Sequence, residues 1–297
     1  MKTSLAQFTA KAAMVLALAV LASPAAFADV VDDFDTGATS AGILSGTNGG
    51  WSAKWAAAST QQDLYDNQVG NGVGGSNGVA LDVFTAERSY NAVNTTGVSV
   101  AAGVGNTLTL SADFQFGVDG NPLANQNASF LGLQISDTQN WWNGNNIDFN
   151  IARRGANGQV LGVVNPTTFI DGWINVTDFG APAGGAVGMS DWFKMETVLT
   201  DNGSTYDAVF TLYNSSGGIA NQSASYDTGY ASGSTLYGGF TTSWNSAPVQ
   251  GPINTINGAT AANIDNFSFT SFAPIPEPTS AALIAGLFGT MAIRRRR

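Results

Sequence analysis

Trp192, Lys194 and Glu196 occupy alternate positions of one extended stretch, so an indole, an ammonium and a carboxylate share a face. Such a trio can stack on a sugar ring and bond its hydroxyls, or simply form a solvated sheet surface. The adjacent pair Trp141-Trp142, followed by Asn143-Gly144-Asn145-Asn146, offers the same chemistry at a turn. Neighbouring strand residues point to opposite faces, so at least one of these indoles is expected to stay exposed. A third group is acidic. Asp265 precedes Phe267 and Phe269 at period two, which predicts that its carboxylate turns toward the core and needs a partner. Calcium shared with Asp32, Asp33 or Asp35 would meet that need, as would an arginine or backbone amides.

The missing residue types narrow the chemistry. The chain has no histidine and no cysteine, which excludes Ser-His-Asp and Cys-His nucleophiles and the usual zinc, copper and haem sites. Oxygen and amide chemistry remains. Glycoside hydrolysis calls for two carboxylates about 5–9 Å apart, one with a raised pKa. Residues 29–272 contain two glutamates, Glu87 and Glu196, and neither has a second acid at strand spacing. Aspartate pairs, and lyase chemistry through tyrosine or arginine, stay open. Two classes follow: a non-catalytic surface or matrix protein that binds or organises polysaccharide, and a secreted glycan-active enzyme. Five basic residues against twenty acidic ones give residues 29–272 a net charge of −15, so nucleic acid is not an expected partner.

The elements that must position these groups read as strands. Thr107 to Val118 alternates, with Leu108, Leu110, Ala112, Phe114, Phe116 and Val118 on one face. Phe130 to Ile135 and Ile147 to Ile151 form one expected hairpin. Trp192 to Thr200 and Thr205 to Asn214 form another around Asn202-Gly203. Val30 to Asp35, Val79 to Ala86, Gln159 to Val164, Ser234 to Ser243 and Asn263 to Phe272 are further candidates. Gly70, Gly72 and Gly75 spell G-x-G-x-x-G, but no strand leads in and no helix follows, so the stretch reads as a loop. Many short strands with glycine-rich turns predict an all-β, antiparallel two-sheet jelly-roll sandwich spanning residues 29–272 as one domain.

Both ends read as targeting segments. Lys2 and Lys11, the apolar run Ala12 to Ala22 and the small-residue site Ala26-Phe27-Ala28 predict a signal peptide over residues 1–28. At the other end, Pro274 to Pro278 breaks the chain. The uncharged stretch Thr279 to Ile293 follows, and Arg294, Arg295, Arg296 and Arg297 close residues 273–297. As a helix the apolar stretch spans roughly 22 Å against a hydrocarbon core of about 30 Å, which suits a short transmembrane anchor with its arginines inside.

The order Pro276-Glu277-Pro278, apolar helix, arginine cluster resembles the PEP-CTERM sorting signal of bacterial surface proteins. That resemblance implies that a membrane-embedded exosortase recognises and cleaves the tail. It also implies that the protein passes from transient anchoring to the cell surface or an exopolysaccharide-rich matrix. The start Asp33-Phe34-Asp35 and the end Ile264 to Phe269 resemble concanavalin-A-like jelly rolls, which implies that the first and last strands pair.

Overall fold

The computed structural model describes residues 29–34, 51–55, 65–68, 72–81, 90–119, 127–139, 145–154, 159–164, 168–169, 174–180, 187–244 and 262–273. In chain order its strands are β1 (Val30–Asp32), β2 (Trp51–Trp55), β3 (Tyr65–Gln68), β4 (Gly78–Leu81), β5 (Tyr90–Asn94), β6 (Thr107–Asp119), β7 (Asn127–Ser136), β8 (Asn146–Arg154) and β9 (Gln159–Val164). They continue with β10 (Thr168–Phe169), β11 (Ile174–Asn175), β12 (Val187–Met189), β13 (Phe193–Asp201), β14 (Thr205–Tyr213), β15 (Ile219–Gln222), β16 (Tyr226–Ala231), β17 (Tyr237–Trp244) and β18 (Ala262–Phe272).

Two antiparallel sheets result. The first runs β15-β14-β13-β6-β18-β4-β3, with β1 against β18, β12 against β6 and β16 against β14. The second runs β10-β9-β8-β7-β17-β5-β2, with β11 against β9. β17 pairs with β5 in the second sheet, and β18 pairs with β6 in the first. The connections β5 to β6 and β17 to β18 therefore change sheets as a couple, which makes the sandwich a jelly roll. The first and last strands do pair, Val30 opposite Phe269.

Alternation explains the core. Leu108, Leu110, Phe114 and Phe116 from β6 are buried between the sheets against Leu131, Leu133 and Ile135 from β7 and Ile147, Phe149 and Ile151 from β8. Phe149 and Phe210 bring the sheets together with ring centroids 5.2 Å apart. The indole of Trp51 lies 4.8 Å from the ring of Phe267 and 5.0 Å from that of Phe240. Gly238 leaves room for the first sheet, since a Cβ there would sit 2.9 Å from both Leu110 and Phe269.

Both expected hairpins form, β7 with β8 and β13 with β14. In the second, Gly203 alone carries the positive φ, at 100°. One strand departs from simple alternation. In β18 the register against β6 slips between Asp265 and Ser268, and Asn266 takes a φ of 50°. This bulge inverts the phase. Ile264, opposite Phe114, and Phe267 both face the core, whereas Asp265 pairs with Asp113 on the other face. The expectation that Asp265 shares a face with Phe267 and Phe269 is thereby corrected.

Candidate functional site

Asp265 is nevertheless 1% exposed, because the turn formed by Gly72 to Ser76 covers it. Its Oδ2 accepts the Val73 N–H at 2.7 Å and the Ser76 hydroxyl at 2.9 Å, and its Oδ1 accepts the Asn266 N–H at 2.7 Å. Burial raises its pKa above the ordinary carboxylate range; these three bonds oppose the rise, and the charge of Asp113 adds to it. Asp113 is raised too, chiefly by burial, against the Asn266 side-chain bond at 2.8 Å and the charge of Lys194. The described part of the G-x-G-x-x-G stretch lies in this turn, Gly72 to Ser76, and is thus seated on a carboxylate, while Gly70 lies outside the described residues. Contrary to expectation a strand, β3, does lead toward the stretch, ending at Gln68.

Asp32 lies on the opposite side of that sheet. It pairs with Phe267 on the core face, and its carboxylate accepts the Trp51 Nε1–H at 2.7 Å and the Phe34 N–H at 2.9 Å. Burial again raises its pKa, opposed by those two bonds. Asp33 is exposed and Asp35 lies outside the described residues. Asp32 and Asp265 are therefore not brought together, and among the described residues no three acidic side chains cluster as a cation site.

Trp192, Lys194 and Glu196 do share the outer face of the first sheet, each half-buried. The Lys194 Nζ donates to Glu196 Oε2 at 2.5 Å, and the Tyr213 hydroxyl donates to Oε1 at 3.0 Å. Lys194 also stands 5.5 Å from the Tyr213 ring centroid. The polar groups of this face largely satisfy one another. Trp141 and Trp142 lie outside the described residues, within the β7–β8 connection. So do Pro276, Glu277, Pro278 and Arg294 to Arg297; among the described residues no helix is long and apolar enough to cross a membrane.

The second sheet holds a different arrangement on its outer face. Gln134 lies between the core residues Leu133 and Ile135, so it points away from the core; Asp148 and Asn150 do the same between Ile147, Phe149 and Ile151. In register, Gln134 stands opposite Asp148 on one side and Gly239 on the other, and Gly239 stands opposite Val93. This face is polar yet buried. Gln134 is 0% and Asn150 6% exposed, and Val93 is buried there, outside the core cluster. Neither polar atom of the Gln134 carboxamide has a hydrogen-bond partner, nor does Asn150 Oδ1. Buried amides are normally bonded, and each unpaired group costs about 1–3 kcal/mol. Gly132, opposite Asn150, gives that side chain its room: a Cβ there would lie 2.8 Å from Asn150 Oδ1 and still closer to the β8 backbone. Sequence reasoning passed over Gln134, Asp148 and Asn150, because polar residues alternating with core residues read as solvent-facing. The available signal was their type, amides rather than lysines or glutamates along a whole strand pair.

No family model matches the chain, and no curated protein matches it. Among solved structures it is similar to an endo-1,3-β-glucanase from Streptomyces sioyaensis, at 12% identity over 85% of this chain and 99% of that one, with a TM-score of 0.49. It is also similar to lectin II from Ulex europaeus, at 10% identity over 84% and 100% with a TM-score of 0.46. A third likeness is to metal-free lectin I-B4 from Griffonia simplicifolia, at 11% over 83% and 100% with a TM-score of 0.44.

Proposed function

We propose that this chain is an exported surface or matrix protein that holds polysaccharide without cleaving it. The observation that carries this reading is the buried amide face of β7 and β8. Both polar atoms of the Gln134 carboxamide and the Oδ1 of Asn150 are unpaired, and Asp148 is the one carboxylate among the described side chains there. Carboxamides bind sugar hydroxyls as donor and acceptor at once, whereas hydrolysis needs a second acid beside Asp148. The indoles of Trp141 and Trp142, in the β7–β8 connection, are the stacking candidates on this reading; Trp192 belongs to the outer face of the other sheet. Export and sorting rest on the two end segments: an exosortase-type enzyme acting at Pro276-Glu277-Pro278 after transient anchoring by the apolar helix.

A second reading, a glycan-active enzyme, is favoured by Asp113 and Asp265. These two carboxylates stand opposite each other in register, both raised in pKa by burial. One experiment separates the readings. The full chain, purified in detergent, is incubated with neutral and acidic polysaccharides while co-sedimentation and reducing-end release are followed. Binding without release is expected. Release that is abolished in Asp113→Asn would establish the enzyme instead, and neither binding nor release would remove both.

A further inference from the structure

The amide face is specific enough in its chemistry to name a class of ligand. We infer that it takes a neutral glycan through a pair of vicinal hydroxyls, with Gln134 as the residue that reads them. This rests on the polysaccharide-holding reading given above.

The argument begins from what Gln134 lacks. Its Nε2 has two hydrogens to donate and its Oε1 two lone pairs to offer, and none of these is used at 0% exposure. A carboxamide presents its donor and acceptor side by side, in one plane. Neighbouring hydroxyls on a pyranose ring can match that: one donates to Oε1 while the next accepts from Nε2. Asn150 Oδ1, two residues along β8 from Asp148, offers another acceptor on the same face. A hydroxyl is the ligand group that satisfies donors and acceptors together.

The surroundings select against charge. Asp148 stands directly across from Gln134 in register, so a uronate, sulfate or phosphate would meet a half-buried carboxylate. Gly239 on the other side has no side chain, and Val93 lies beyond it. The neighbours there are bare backbone and an apolar side chain, groups that match the C–H face of a sugar ring.

Affinity electrophoresis of the full chain in detergent tests this, with gels containing a soluble β-glucan, dextran or alginate. A variant Gln134→Met keeps the length of the side chain and removes both unpaired groups. Wild type is expected to be retarded by a neutral polymer at least tenfold more strongly than by alginate. In Gln134→Met that retardation should fall at least tenfold, while the melting temperature holds or rises because two unpaired buried groups are gone. A second variant, Asn150→Leu, should weaken binding in the same direction. If neutral binding persists unchanged in Gln134→Met, this face is not the site, although the polysaccharide reading stands. Preference for alginate overturns the ligand class. A marked fall in the melting temperature of Gln134→Met shows that the carboxamide is bonded by the protein's own chain or by water, and overturns the inference. Failure to bind any polymer removes the underlying reading as well.

Discussion

Asp201 closes β13, and its carboxylate joins three separate loops. Oδ2 accepts the Gly103 N–H at 2.8 Å and the Ser232 hydroxyl, and Oδ1 accepts the Gly203 N–H at 2.7 Å. Its backbone adds two more bonds, from Gly105 N–H at 2.9 Å and to Asn106 O at 2.8 Å, and the residue is 1% exposed. Asp201→Asn keeps the shape and removes one acceptor oxygen together with the charge. One or two of the three donors lose their partner, at about 1–3 kcal/mol each for buried groups. A loss of about 1–6 kcal/mol follows, or roughly 2–24 °C in melting temperature for a domain of this size. The pH dependence carries a sign of its own. Burial pushes the Asp201 pKa up, but the bonds from Gly103, Ser232 and Gly203 outweigh it and leave the value below the ordinary one. A carboxylate whose folded pKa is depressed contributes stability above its unfolded pKa, about 3.9, and loses it as pH falls through the folded value. Urea unfolding followed by tryptophan fluorescence, at pH 7 and in steps below pH 4, should show the wild-type advantage over Asp201→Asn shrinking as the pH drops. A difference below 1 kcal/mol at pH 7, or one that stays constant through the acid range, would refute this account.

Other parts of the molecule make equally direct commitments. Gly72→Ala places a Cβ 2.3 Å from Asn77 O and 2.6 Å from Asp265 Oδ2, so a loss of about 1–3 kcal/mol is expected in chemical unfolding, and a neutral effect would show that the turn is not seated on Asp265. Tyr213 should titrate above an ordinary tyrosine, because burial and then the bond and charge of Glu196 raise it. Glu196→Gln should bring the phenol back down in an NMR titration, with a stability change of about 1 kcal/mol or less for the half-exposed pair. Because Asp32 and Asp265 face opposite sides of the sheet, any rise in melting temperature produced by millimolar calcium is expected to survive Asp265→Asn; its loss in that variant would place the ion on the outer face.

The sandwich was legible in the sequence because each strand buries one face. Leu108 to Phe116 alternates without interruption and lies against the core as expected, and Gly203 marks its hairpin. Short strands were not legible. Thr168–Phe169 and Ile174–Asn175 are two residues each, too short to show any period, and the partner strand β9 alone defines them. The strand beginning at Val30 was expected to reach Asp35. It ends at Asp32, where Phe34 bends inward at a φ of 55° with its N–H held by the Asp32 carboxylate. That bond decides the geometry, and it depends on side-chain placement that no pattern of apolar residues encodes.

Asp265 and Gln134 show why the candidate site was harder to read than the fold. Period two places Asp265 with the phenylalanines that follow it and sets Gln134 on the face opposite Leu133 and Ile135, and in each case the structure overrides a further assumption. For Asp265 the assumption is an unbroken register; one extra residue at Asn266 moves every following side chain to the other face, and an asparagine in a positive-φ conformation gives little warning in sequence. For Gln134, which no sequence motif singles out, the register holds and the face is the one that alternation gives. What fails is the inference from facing outward to being wet, since that face is buried and its carboxamide has no partner. An apolar residue in the same place would lie there without penalty, so a glutamine unpaired at 0% exposure is a cost that the fold itself does not require. Local rules that break without a structural gain mark the places where a ligand supplies the missing partner. By that criterion Gln134 is a stronger candidate than the Trp192, Lys194 and Glu196 face, whose charged groups already have each other and Tyr213.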